Sequence, residues 1–156
     1  DRLVPDCFKS LFANKSITIR NPISTRPWQF VLEPLKGYLM LGEKLINNFK
    51  EHVGSWNFGP SQENVFTVED VVKLIIELWG DGQVKIQETS TFSESNLLQI
   101  DCTKSITQLG WKPALDFENS FRYTTNWYKY LKEDTKRDMY QFCVKQIVEY
   151  EKISKK

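Results

Sequence analysis

The sequence predicts a mixed α/β protein weighted to helix, and three observations predict it. Long stretches repeat apolar residues at helical spacing, short β-branched runs stand between them, and glycine, proline or capping side chains close most segments. Internal repeats and low-complexity stretches are absent from the sequence. A length of 156 residues suits one domain, or half of a larger one.

Residues 3–13 read as a helix, with Pro5 tolerated in its first turn. "SITIR" at 16–20 is strand-like through its β-branched residues. From Pro34 the apolar positions Leu35, Tyr38, Leu39, Leu45, Ile46 and Phe49 keep mostly to helical spacing. Pro34 suits a first helical position, and Glu33 just before it suits the positive end of the helix dipole. "SWNF" at 55–58 reads as a short strand closed by Gly59-Pro60. Thr67 and Asp70 form a capping-box start for a helix reaching Trp79, which Gly80-Asp81-Gly82 stops. "VKIQ" at 84–87 is another short strand.

A helix over 104–109 ends at Gly110, followed by Trp111 and Pro113, the pattern of a left-handed cap. Asp116 can cap the next helix, whose stripe is Phe117, Phe121, Thr124, Tyr128 and Leu131. From Asp138, the residues Met139, Phe142, Cys143, Ile147, Tyr150 and Ile153 again form one apolar face.

Hydrophobic content of 40%, with 13% aromatic residues, supports a sizeable core rather than a disordered tail. A formal charge of +1 gives no electrostatic footprint for duplex nucleic acid or an anionic membrane. The longest apolar runs fall far short of the ~20 residues a transmembrane helix needs. Cys7, Cys102 and Cys143 form no Cys-x-x-Cys pair, and with His52 as the one histidine a zinc site is not expected. Free thiols in a reducing cytosol, and hence a cytoplasmic location, are expected. The chain opens Asp1-Arg2-Leu3 without methionine, so we expect a piece of something longer whose front half is missing.

Gly80 and Gly82 make the one Gly-x-Gly in the chain, but Lys85 stands where a dinucleotide fingerprint needs its third glycine, and the pair follows a helix. A plain turn is the expected reading, with no NAD bound by this chain in that way. Tyr128 and Lys132 have the Tyr-x-x-x-Lys spacing in which a lysine lowers a phenol's pKa for proton transfer. Tyr128 lies on the apolar stripe, however, so a core tyrosine and a surface lysine are expected. Glu69/Asp70 and Glu133/Asp134 are sequence neighbours that diverge by about 100° on a helix and cannot act as a carboxylate pair. No Ser/His/Asp arrangement can be argued around His52, and the aromatic residues are assigned to the core.

"IRNPISTRPWQFVLEPLKGY" at 19–38 is different. Arg26 precedes Pro27 and is therefore biased to extended backbone. A guanidinium on stiff backbone near strand ends can grip a phosphate through two hydrogen bonds, or pair with a surface carboxylate. Trp28 can stack on a ring or fill the core. Asn57 can offer its amide to a ligand or shape a turn.

"DRLVPD" (1–6), "RNPISTRPWQFVLEPLKGY" (20–38), "WNFGP" (56–60) and "LGWKPALDFENSFRYTTNWY" (109–128) together resemble the C-terminal half of CDP-glucose 4,6-dehydratases, which are extended short-chain dehydrogenase/reductases. The resemblance runs to about residue 133, leaving 134–156 as a helical tail. It implies a helix-rich α/β substrate-binding part, residues 1–156 forming one nucleotide-sugar-binding domain without the glycine-rich Rossmann half that holds NAD and the catalytic Tyr and Lys. The implied reaction oxidises C4 of CDP-glucose, eliminates water across C5 and C6 and returns the hydride to C6, for deoxysugars of bacterial surface polysaccharide.

By match to the motifs, Arg26 becomes the diphosphate ligand. Asn57, Ile19 and Arg20 become neighbours of the nucleotide, Glu94 the acidic residue near ribose and phosphates, and Arg2 the start of the helix that frames the nucleotide; Trp28 completes the set. Expected partners are CDP-glucose or CDP and the missing Rossmann half, with a homodimer for the full-length enzyme and no nucleic acid or membrane. Two departures stand out: Ser93-Glu94-Ser95 where members often read His-Glu-Ala, and Phe30 where a histidine is usual. The chain by itself is expected to be inactive and to expose an apolar patch of several hundred Å². The alternatives are a related dehydratase or epimerase using another nucleotide, and a stand-alone binding module without catalysis.

Overall fold

The computed structural model describes residues 2–61, 65–87, 97–134 and 138–155. Helices α1 (Leu3–Phe12), α2 (Leu32–Asn47), α3 (Phe49–His52), α4 (Val68–Trp79), α5 (Thr103–Leu109), α6 (Phe117–Glu133) and α7 (Met139–Ser154) alternate with strands β1 (Ile17–Ile19) and β2 (Val84–Ile86). The two strands pair in parallel, Ile17 opposite Val84 and Ile19 opposite Ile86. No described helix is long and apolar enough to cross a membrane.

Two apolar clusters hold these elements. Cys7, Phe8 and Leu11 of α1 close on Ile17 and Ile19 of β1, Val71, Val72 and Ile75 of α4 and Phe121 of α6. The β-branched residues of β1 alternate buried, exposed, buried, as a strand with one covered face requires. Phe58, Cys102, Leu109 and Trp111 form the second cluster, with Met40 and Leu41 of α2 against it.

The expected punctuation is present. Thr67 accepts from the Asp70 amide while the Asp70 carboxylate accepts from the Thr67 amide, the reciprocal box that starts α4. Gly80 and Gly110 take left-handed backbone at the ends of α4 and α5. Asp116 caps α6 as expected, and Asp138, for which the sequence reading names no cap, caps α7.

Three expectations need correction. Residues 55–58 form no strand among the described residues. Side chains bond their carbonyls instead: Ser105 Oγ donates to Asn57 O, and Gln29 Nε2 donates to Phe58 O at 2.8 Å. Strand-forming composition needs a neighbouring strand before it becomes a ladder. Helix α2 begins at Leu32, so Pro34 is its third residue, where an amide still has no intrahelical partner to lose. Glu33 therefore lies inside the first turn, buried, rather than ahead of the helix.

The third correction concerns the face of α2. Its predicted stripe points outward: Leu35, Tyr38, Leu39 and Ile46 are exposed, as is Phe49 of α3. The buried residues are Glu33 and Gly37, with Met40 and Leu41 half-buried on the same inner side. A Cβ at Gly37 would overlap the Phe58 ring, so glycine there permits close packing of α2 on the second cluster.

Candidate functional site: an arginine-lined cavity

The segment after β1 is bound to the start of α4 by its own backbone. The amides of Val68 and Glu69, in the first turn of α4, donate to Ser24 O at 2.8 Å and Pro22 O at 3.0 Å. Early helical amides lack intrahelical acceptors, so loop carbonyls satisfy them. Thr25 adds an antiparallel bridge to Thr67. Beyond it, the Trp28 amide donates to Arg26 O at 2.8 Å around Pro27. The Trp28 indole donates to Phe66 O at 3.2 Å, and Gln29 reaches Phe58 O. Arg26 is thus carried on backbone anchored on both sides.

Its guanidinium, half-buried, donates from Nη1 to Thr25 O at 2.7 Å and borders a cavity of about 520 Å³. Arg2 at the start of α1, Ile19 at the end of β1, and Arg20 and Asn21 of the following turn border the same cavity. Three arginines therefore border one concavity. Among the described residues Asp6 is the one carboxylate on its wall, and it is already engaged: Lys9 Nζ lies 2.9 Å from it and the Arg2 amide 3.0 Å. The Lys9 hydrogen bond, then that of the Arg2 backbone, holds the Asp6 carboxyl below its ordinary value, so it remains an anion paired within α1.

This arrangement suits binding of an anion rather than proton transfer. Cys7, also on the wall, is no nucleophile, because burial pushes its thiol up to about 12. Tyr128, the phenol of the Tyr-x-x-x-Lys spacing, stacks on Phe8 with ring centroids 3.9 Å apart, and burial raises its pKa. Lys132 lies over the Trp79 ring instead, 4.9 Å from its centroid.

The remaining candidates fall elsewhere. Trp28 packs edge-on against Phe121 and borders a separate, largely apolar cavity of about 560 Å³ between the 28–32 segment, α6 and α7. The Asn57 amide donates to Asp101 O at 3.0 Å and stands outside the arginine cavity. Its segment still approaches Arg26, because Pro60 and Ser61 share a narrow cleft with that side chain. Glu94, with Ser93 and Ser95, lies outside the described residues. Phe30 is buried against Tyr123 and Tyr150, so the departure at that position is a core residue. Asn21 and Ser24 border the cavity without having been singled out; their place in "RNPIS", beside Arg20, was the available signal.

The Gly80–Gly82 pair does not fit a dinucleotide. Gly80 ends α4, and a Cβ at Gly82 would press on Leu11 and Ile76, so the turn is packed against the core instead of opening to a pyrophosphate.

The fold agrees with solved sugar-nucleotide enzymes. UDP-glucuronic acid 4-epimerase from Bacillus cereus, in complex with UDP-glucuronic acid and NAD, superposes with a TM-score of 0.68 at 17% identity, over 84% of this chain and 40% of that one. dTDP-glucose 4,6-dehydratase from Bacillus anthracis, in complex with NAD, gives 0.65 at 22% identity, over 85% and 40%. The fold is the helix-rich C-terminal part of an extended short-chain dehydrogenase/reductase. No family model matches the sequence. CDP-glucose 4,6-dehydratase of Salmonella typhimurium is 38% identical over 130 residues, which are 83% of this chain and 36% of that protein. Within the class, the chain is related to CDP-glucose 4,6-dehydratases over their C-terminal portion.

Proposed function

We propose that this chain is the substrate-binding portion of a sugar-nucleotide dehydratase acting on CDP-glucose. The observation that supports it most is the convergence of Arg2, Arg20 and Arg26 on one cavity, with Arg26 inside the braced "STRPWQFVLEPLKGY" segment. On this reading Arg26 holds the paired phosphates with two parallel hydrogen bonds, and Arg20 and Arg2 add positive charge from the walls. Ile19 lies against the nucleotide. Asn57, Glu94 and Trp28 complete the proposed set, Trp28 by bracing the Arg26 segment through its bond to Phe66 O.

NAD would supply hydride transfer, and it is assigned to a portion outside this chain, so residues 1–156 by themselves are expected to bind and not to turn over substrate. Residues 134–156 form the proposed helical tail. The assembled enzyme is proposed to be a cytoplasmic homodimer serving deoxysugar synthesis for surface polysaccharide. Calorimetry with CDP, UDP, GDP and dTDP tests the reading. CDP should bind most tightly, and Arg26→Ala should weaken it; equal binding of all four would leave only a general nucleotide site, and binding unchanged in the variant would place the diphosphate elsewhere.

A further inference from the structure

Ser24 borders the arginine cavity and is 1% exposed. Its hydroxyl oxygen is buried and has no hydrogen-bond partner among the described residues. A hydroxyl taken out of water without a partner destabilises a fold, and an alanine at the same place would avoid that loss. The serine therefore calls for a reason.

Local structure does not supply one. Serine is favoured near turns because its side chain bonds the adjacent backbone, and this hydroxyl makes no such bond among the described residues. The backbone at Ser24 is held without it: the amide reaches Asn21 O at 3.4 Å, the carbonyl accepts from the Val68 amide at 2.8 Å, and the next residue bridges to Thr67. An alanine could take the same course. The cavity does supply a reason. Arg2, Arg20 and Arg26 on its walls are donors without acceptors, so the ligand they attract is an anion rich in acceptor oxygens. A hydroxyl beside such a ligand has an oxygen to which it can donate.

We infer that Ser24 is a binding residue of this cavity, and that its hydroxyl donates to a phosphate oxygen of the bound ligand. The side chain turns about a single torsion between staggered positions, so it meets the ligand without backbone movement. Stability given up in the empty protein is recovered as affinity when the phosphate arrives. The arginines attract an anion over a distance through charge, whereas the neutral hydroxyl acts only on an oxygen placed within hydrogen-bond reach. The inference rests on the proposed function and adds to it a contact with the phosphates rather than with the base or sugar.

The test measures calorimetric affinity for CDP and for inorganic pyrophosphate, together with the melting temperature of the ligand-free chain. Ser24→Ala should weaken both ligands by about tenfold, as loss of a hydrogen bond to a charged group does, without lowering the melting temperature. Thr125 supplies the control: it is also 1% exposed with an unpartnered buried hydroxyl, but it lies on α6 and outside this cavity. Thr125→Val should raise the melting temperature and leave both affinities unchanged. Ser24→Cys, which keeps a weak donor, should bind with intermediate affinity. Native affinity in Ser24→Ala overturns the inference. So does a melting temperature lowered by Ser24→Ala, which makes the hydroxyl structural, or a loss confined to CDP, which moves the contact to the nucleoside. A native chain that binds pyrophosphate, and CDP no better than UDP, overturns the proposed nucleotide and leaves the Ser24 contact standing. A native chain that binds neither probe overturns both.

Discussion

The Tyr150 hydroxyl donates to Glu33 Oε2 at 2.7 Å, joining the last helix to the first turn of α2 across 117 positions of chain. Glu33 is 1% exposed, and its carboxylate also accepts from the amides of Ala114, at 2.9 and 3.0 Å, and Leu115, at 2.8 Å. The Trp111 indole donates to its carbonyl at 3.2 Å. A buried carboxylate is tolerated when donors surround it, and this one gathers α2, the 111–115 segment and α7 at a single point.

Tyr150→Phe is therefore expected to destabilise the chain by roughly 1.5–3 kcal/mol, the scale of a hydrogen bond to a charged group, in urea unfolding at neutral pH. Glu33→Ala should cost more, because two amides and a phenol lose their acceptor together. A loss below about 0.5 kcal/mol for both would show that the carboxylate is not the anchor.

Burial, reinforced by the Glu33 carboxylate, raises the Tyr150 phenol above its ordinary value of 10.0. The unfolded chain then ionises this group before the folded chain can, so stability should fall as pH rises past about 10. Tyr150→Phe should remove part of that alkaline loss. Tyr123 and Tyr128, also raised by burial, should keep the rest.

At the cavity, Arg26→Ala should weaken CDP binding by roughly 1.5–3 kcal/mol. Arg26→Lys retains the charge but not the planar fork, so it should recover only part of the affinity. Full recovery in calorimetry would indicate a point charge rather than a two-bond grip.

Gly37→Ala should lower the melting temperature, since its methyl group meets the Phe58 ring; overpacking of this kind costs about 1–3 kcal/mol. Pairing it with Phe58→Leu should restore part of the loss. No restoration would locate the strain elsewhere on α2.

The Thr67 hydrogen bond, side chain before backbone, holds the Asp70 carboxyl below its ordinary value of 3.8. The associated stability is present above about pH 4 and is lost as pH falls through the lower folded value. Thr67→Ala should cost about 1 kcal/mol at neutral pH, as a lost helix cap does, and flatten the acid limb of the stability curve. An acid limb identical to the native one would remove the capping box from the account.

Much of the local structure was legible in the residues because its causes are local. The Thr67–Asp70 box, the Asp116 cap, the stop at Gly80 and the left-handed Gly110 depend on neighbours within a few positions, and each lies where the pattern placed it. The motif around Arg26 was equally readable, since proline restricts backbone wherever the chain goes. Tertiary structure decided what periodicity cannot express. Spacing shows that α2 has an apolar stripe but not which of its two apolar sides the chain itself covers, and Glu33 looked like a dipole partner until Ala114, Leu115 and Tyr150 were brought to it. The convergence of Arg2, Arg20 and Arg26 on one cavity likewise depends on β1, α1 and α4 packing together, because groups distant in sequence meet only when burial of the apolar residues between them brings them there.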